Sequence, residues 1–289
     1  MSVTKLASPD VLIEATADVG EGPVVDHRTG RLCWVDITAG WIHENDLGSG
    51  AQVSVHFDTM MGAAVPRATQ GGFAVAFSQG FGFVDDGELW LADGCLPEAH
   101  RRMNDAKCDS RGRLWAGSNH LEFEPGLGML HRWDGDGPSQ VMAGGMILPN
   151  GLGWSPDDRT MYLVDSFANV LQRADFDADE GRVGSFSPLC TVEPGLPDGL
   201  AVDQDGFIWV AVWGGSEVRR FSPTGELSAV VPMPVAQPSS CAFGDDGTLF
   251  VTSARSGLSE EDLSLQPHAG SVFALATDTR GVPVAPFRG

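Results

Sequence analysis

Basic residues are scarce in this chain of 289 residues: 18 Lys and Arg stand against 39 Asp and Glu, a formal net charge of −21. Only Lys5 and Lys107 are lysines, and no run of like basic charge occurs. Nucleic acid and anionic lipid surfaces are held by clustered basic groups that release counterions, so neither is an expected partner. A cation suits the charge balance better. Long apolar runs are missing too, since nothing approaches the ~20 residues of a membrane-spanning helix. Met1–Lys5 has neither the basic head nor the apolar stretch of a secretory signal, which predicts a cytoplasmic protein. The five cysteines (Cys33, Cys95, Cys108, Cys190, Cys241) are odd in number, scattered and free of any Cys-x-x-Cys pair, which argues against a zinc or redox centre. Cys33, Cys108 and Cys241 lie in or beside apolar runs and read as small buried hydrophobes, whereas Cys95 and Cys190 have no assigned place. No Gly-x-Ser-x-Gly elbow occurs, and the seven histidines fall at no metal-ligand spacing. His120 alone is set apart, because it follows Gly117-Ser118-Asn119 and precedes Glu122 where a loop would start.

What the chain does contain is 42% hydrophobic residues, 37 Gly and a repeat. A turn with Asp or Gly leads into a short apolar run, as in Gly30-Arg31-Leu32-Cys33-Trp34, Gly112-Arg113-Leu114-Trp115 and Gly206-Phe207-Ile208-Trp209. Taking Trp34, Phe73, Trp115, Leu163, Trp209 and Phe250 as equivalent, the steps by subtraction are 39, 42, 48, 46 and 41 residues, which makes six units. A second strand-like run follows in most units, for example Met129–Trp133 and Glu217–Phe221. Short β runs at even spacing, Gly-heavy turns and no helical periodicity predict an all-β chain. A repeat of ~40–50 residues with four strands per unit is that of a propeller blade. The expectation is one domain over residues 1–289, a six-bladed β-propeller, with Val11–Thr16 closing the ring against the last blade. Two stacked sandwiches would need a boundary, and the even spacing offers none.

In a propeller the first strand of each blade lines the central channel. Ten to thirteen residues before the anchors stand Glu21, Met61, Asn104, Asn150, Asp198 and Ser240. Glu21, Asn104, Asn150 and Asp198 carry side-chain oxygens, and burying two carboxylates together without a counter-charge is costly. A divalent metal ion in the central channel resolves the conflict, and all-oxygen donors favour a hard ion: Ca²⁺ first, with Mg²⁺, Mn²⁺ or Zn²⁺ as alternatives. Taken singly, Asn150-Gly151 and Asp198-Gly199 would read as hairpin turns. Their common phase with the repeat argues for a site. Asp175–Gly181 looks like a calcium loop, but its Gly comes at the seventh position and its twelfth is Phe186, so it reads as a solvated turn.

The block Arg102-Met103-Asn104-Asp105-Ala106-Lys107-Cys108-Asp109, with Glu21-Gly22-Pro23, Pro149-Asn150-Gly151-Leu152 and Pro197-Asp198-Gly199, resembles the gluconolactonase, senescence marker protein (regucalcin) and luciferin-regenerating enzyme family. The resemblance runs over nearly the whole chain. It implies a six-bladed propeller with one divalent metal, held by residues matching Glu21, Asn150 and Asp198, with Asn104 as a possible fourth ligand. It also implies sugar contacts from Arg102, Asn104 and Glu122. The sequence departs from the family pattern at Ala106, Cys108 and Asn119.

The function so implied is hydrolysis of a sugar lactone (aldonolactone) to the open acid, with Asp198 as both ligand and general base. The alternatives are a metal-dependent esterase or organophosphate hydrolase on the same scaffold, and a non-catalytic calcium-binding regulator. The partner expected is a small sugar lactone, with the chain a monomer or small homo-oligomer.

Overall fold

The computed structural model describes residues 3–289. Strands dominate, and they form six sheets. Each sheet is built on an antiparallel meander from one stretch of chain, with N-terminal strands added to the fifth and sixth, and the first strands of the six are Gly20–Asp26, Met61–Pro66, Arg101–Cys108, Pro149–Trp154, Leu196–Val202 and Pro238–Phe243. These inner strands touch in succession and the sixth meets the first, so the sheets close into a six-bladed β-propeller. The anchors all fall on second strands, and Met129–Trp133 and Glu217–Phe221 fall on third strands. An N-terminal strand closes the ring on the last blade as expected, but it is Asp10–Ile13, with Glu14–Thr16 outside it; it pairs antiparallel with Val272–Ala276 as the outer strand of the sixth blade. Thr4–Lys5 adds a parallel edge to the fifth blade. A short α-helix, Glu260–Leu265, starts at a capping box built by Ser259 and Asp262.

Apolar side chains fill the space between blades. Six buried clusters occupy the six gaps, such as Val35, Ile42, Met61 and Phe77 between the first and second blades. Trp34, Trp115, Trp133 and Trp209 are almost fully enclosed. Full burial of a large apolar side chain stabilises by roughly 1.5–3 kcal/mol, so this shared packing holds neighbouring blades together.

Two features of the inner strands position the site. Each strand carries a bulge near its start, with register shifts at Glu21/Val24, Met61/Ala63, Met103/Ala106, Pro149/Leu152, Pro197/Leu200 and Pro238/Ser240. A bulge inserts an unpaired residue and re-aims its side chain. Each strand also ends where Asp26, Arg67, Asp109, Ser155, Asp203 or Gly244 joins the second strand. Five residues before those ends stand Glu21, Gly62, Asn104, Asn150, Asp198 and Ser239. Four expected members of the ring are therefore in phase, and two need correction. Gly62 and Ser239 hold the places assigned to Met61 and Ser240. In the second blade the anchor Phe73 comes directly after Gly72, whereas Trp34 and Leu163 stand further along their strands, and in the sixth blade the step back to the ring is the same as in the third and fifth. Met61 instead belongs to the apolar cluster between the first two blades.

The glycines after Asn150 and Asp198 are not hairpin residues. Both lie within strands, and a Cβ on Gly151 would overlap the Asp198 carbonyl, as one on Gly199 would overlap Ser240. Close approach of inner strands around the axis requires them.

The far end of the channel is sealed by the C-terminal segment. Val282 N donates to Val202 O at 2.8 Å, Phe287 N to Pro66 O at 2.9 Å and Arg288 N to Gly112 O at 3.0 Å, so the segment crosses from the fifth blade to the second and third. Phe287 is buried against Trp133 and Phe83. Only about 50 Å³ of space remains there, beside Lys107 and Val282–Val284.

Candidate active site

The opposite end is open. A pocket of about 390 Å³ enters from the side where the inner strands begin, and its deepest residues are Glu21, Asn104, Asn150 and Asp198, with Arg102 and Ser166 beside them. These four come from the first, third, fourth and fifth blades, each delivered by the bulge in its strand. Distant segments of sequence thus meet at one point on the axis.

Their hydrogen bonding is incomplete. Asn150 Nδ2 donates to Ser166 Oγ at 3.1 Å and to the Asp198 carboxylate, yet Asn150 Oδ1 is buried with no partner. Arg102 Nη1 donates to Asn104 Oδ1 at 2.7 Å and to Met103 O at 3.0 Å, while Asn104 Nδ2 reaches Pro149 O at 3.1 Å. Glu21 accepts only the Gly22 N–H, at 2.7 Å. Asp105, which no motif singled out, is a third buried acid, and its Oδ2 is also unpartnered. It takes the place next to the ring residue that Gly151 and Gly199 take in the following blades.

Burial raises all three acids, and repulsion from acidic neighbours adds to it at Glu21 and Asp198. Glu21 is pushed up to about 8, first by burial and then by Asp105, with Arg102 and Lys107 opposing. Asp198 rises well above the usual carboxylate range, from burial and then from Glu21 and Asp105. Asp105 is raised by burial, against the pull of Lys107. Burial also draws Arg102 down to about 10, with Glu21 and Asp198 resisting, so it keeps its charge at neutral pH. Lys107 is committed elsewhere, donating to Leu200 O at 2.6 Å.

These residues fit a divalent cation. Buried carboxylates that cannot ionise together and an amide oxygen left without a donor are what a hard, oxygen-seeking ion satisfies. Glu21, Asn150 and Asp198 could hold it, with Asn104 at the edge.

Glu122 is not brought into this group. It stands exposed on the loop after Leu114–His120, while its neighbours Leu121 and Phe123 line the pocket. Ligand atoms of Glu122, Glu124 and His120 lie within 4.8 Å of one another, and His120 Nδ1 accepts the Glu122 N–H at 3.3 Å. Asn119 is fully buried, donating to His120 O at 2.8 Å. Cys33, Cys108 and Cys241 are buried free thiols as expected, and Cys95 and Cys190 are half-buried and free.

Residues 19–255 match the SMP-30/Gluconolactonase/LRE-like region, and the chain belongs to that family. It is 33% identical to the putative sugar lactone lactonase YvrE of Bacillus subtilis over 97% of this chain and 99% of that one. It is 36% identical to 6-deoxy-6-sulfogluconolactonase of Pseudomonas putida, over 94% and 95% of the two chains. The crystal structure of a calcium-binding protein, regucalcin, from Agrobacterium tumefaciens superposes with a TM-score of 0.94 at 29% identity and covers all of both chains.

Proposed function

We propose that the protein is a metal-dependent lactonase that opens sugar lactones (aldonolactones) to their acids. The observation that carries this reading is the convergence of Glu21, Asn150 and Asp198 under Arg102, with buried oxygens short of partners, at the floor of an open pocket. The lactonase names of relatives that cover nearly the whole chain support it. One divalent cation, Ca²⁺ before Mg²⁺, Mn²⁺ or Zn²⁺, would supply a Lewis acid that polarises the lactone carbonyl.

The chain's residues do the rest. Asp198 takes a proton from the attacking water as its oxygen bonds to the carbonyl carbon, then returns that proton to the ring oxygen as the C–O bond breaks. Arg102 faces the developing negative charge, and its bond to Asn104 fixes its direction. Asn150 bonds the Asp198 carboxylate and so holds the base in place. Asn104, with Arg102, holds substrate hydroxyls, and Glu122 contributes only if its loop turns inward over bound sugar.

The test is a panel of five- and six-membered aldonolactones against aryl esters and phosphotriesters, run with the protein metal-replete and again after chelation. Lactone turnover well above the spontaneous rate, lost on chelation and restored by the cation, is the expected outcome. Turnover of the other substrates alone would overturn the reading, and so would metal binding without any turnover.

A further inference from the structure

The pocket changes character with depth. Its floor is polar, but the collar above it is built from Leu121, Phe123, Leu148, Phe167, Leu196 and Trp213, all partly exposed to the opening. Phe123 and Phe167 meet across the gap between the third and fourth blades, with ring centroids 4.8 Å apart at 48°. Phe123 holds a left-handed backbone at φ 54°, a conformation unfavourable for a bulky side chain, and that backbone aims its ring at Phe167. Polar groups on the collar are few. Thr38 is committed to the Asp18 carboxylate, which leaves Ser256 and the indole N–H of Trp213.

We infer that this site selects lactones whose exocyclic tail is apolar or deoxygenated over those with a hydroxylated tail. The inference rests on the lactonase reading and deepens it. A lactone whose carbonyl sits on the floor beside Arg102 and Asp198 points its exocyclic carbons out through the collar. Methyl or alkyl groups there are buried against Phe123 and Phe167, whereas a hydroxyl gives up water for surfaces with little to donate or accept. A hydrophobic wall rejects an added hydroxyl only moderately, so the expected preference in kcat/KM is about 10–100-fold.

The experiment compares a 6-deoxyaldonolactone with its 6-hydroxy counterpart on metal-replete protein. The matching lactams, which keep the ring carbonyl and resist hydrolysis, give Kd for the same pair by calorimetry. The expected result is a preference for the deoxy member of each pair that collapses in Phe167→Asn and in Phe123→Asn, the latter a residue that tolerates the left-handed backbone. Equal or reversed preference in the unmodified protein overturns the inference and leaves the lactonase reading standing. A preference untouched by both substitutions overturns the role of the aromatic pair. No turnover of either lactone and no binding of either lactam overturns both readings.

Discussion

Buried carboxylates occur at both ends of the inner strands, and the two sets differ in how many donors reach them. At the closed end, Asp203 accepts the N–H groups of Asp205 and Phe207 at 3.1 and 2.9 Å, Trp209 Nε1 at 2.9 Å and two Arg220 nitrogens at 3.0 and 2.7 Å. Asp109 repeats the pattern with Arg111, Arg113 and Trp115. At the open end, Asp105 and Asp198 stand a few residues up the same strands and meet Glu21 of the first blade; Asp105 repels both others, Glu21 repels Asp198, and buried oxygens lack donors. A fully partnered acid is a fastener, here tying each turn to its blade. An under-partnered acid is held ready for something that arrives later. On the third and fifth inner strands both kinds are Asp, so there only the local count of donors tells them apart.

The largest expected effects fall on opposite sides of that comparison. Asp203→Asn leaves Arg220 and the Trp209 indole facing an amide, and breaking a buried pair on one side costs about 3–5 kcal/mol. Urea unfolding should show that loss, while kcat per folded molecule is kept. Asp198→Asn should do the reverse: kcat falls about 10²–10⁴-fold, the contribution of a positioned general base. Stability of the metal-free protein holds or rises, because one of the buried acids that cannot ionise together is gone. A large stability loss in Asp198→Asn, or retained turnover, would erase the distinction between the two ends.

A weaker but more diagnostic effect lies in pH. The folded-state pKa of Glu21 is raised from the ordinary 4.5 to about 8, so between those values the folded metal-free protein holds a proton that the unfolded chain has released. Stability therefore declines as pH rises through that window. A bound cation favours the ionised form, so the slope should flatten on metal addition. Unfolding midpoints across the window, with and without Ca²⁺, measure this. A slope of the same size in both would mean that no cation engages Glu21.

Most of the fold and the core of the site are legible in the sequence because both are periodic. The apolar run after each turn marks a second strand, and the blade repeat brings Glu21, Asn104, Asn150 and Asp198 into phase. Legibility fails where the step back from an anchor is left free over ten to thirteen residues, a latitude that puts Met61 and Ser240 in place of Gly62 and Ser239. Asp105 escapes notice in the sequence because its strand neighbours give no reason to treat it apart from Asn104. Its signal is present all the same: it is the acid in the slot where Asn150 and Asp198 are followed by Gly. The plug at the closed end is invisible because Val282–Phe287 follows no repeat and is held mainly by backbone hydrogen bonds. Glu122 sits in an irregular loop, where spacing along the chain does not fix which way a side chain faces.

His131 sharpens the comparison with the smallest effect. It is buried away from the channel, with Nε2 2.9 Å from Ser118 Oγ and Nδ1 unpartnered, so it resembles the open-end acids in being incompletely bonded. Its shift runs the other way in its consequence. Burial first and Arg101 second lower its pKa from 6.5 to about 4, against Asp93. Between those values the unfolded chain takes up a proton that the folded protein refuses, so stability is full above pH 6.5 and is lost as pH falls. Taken as the difference between the protein and His131→Gln, in which the opposing change from Glu21 and the parallel one from His43 cancel, the expected loss is about 1 kcal/mol between about pH 7.5 and about pH 5.5 and is independent of metal. Metal dependence of this term would link His131 to the channel site, from which the fold separates it.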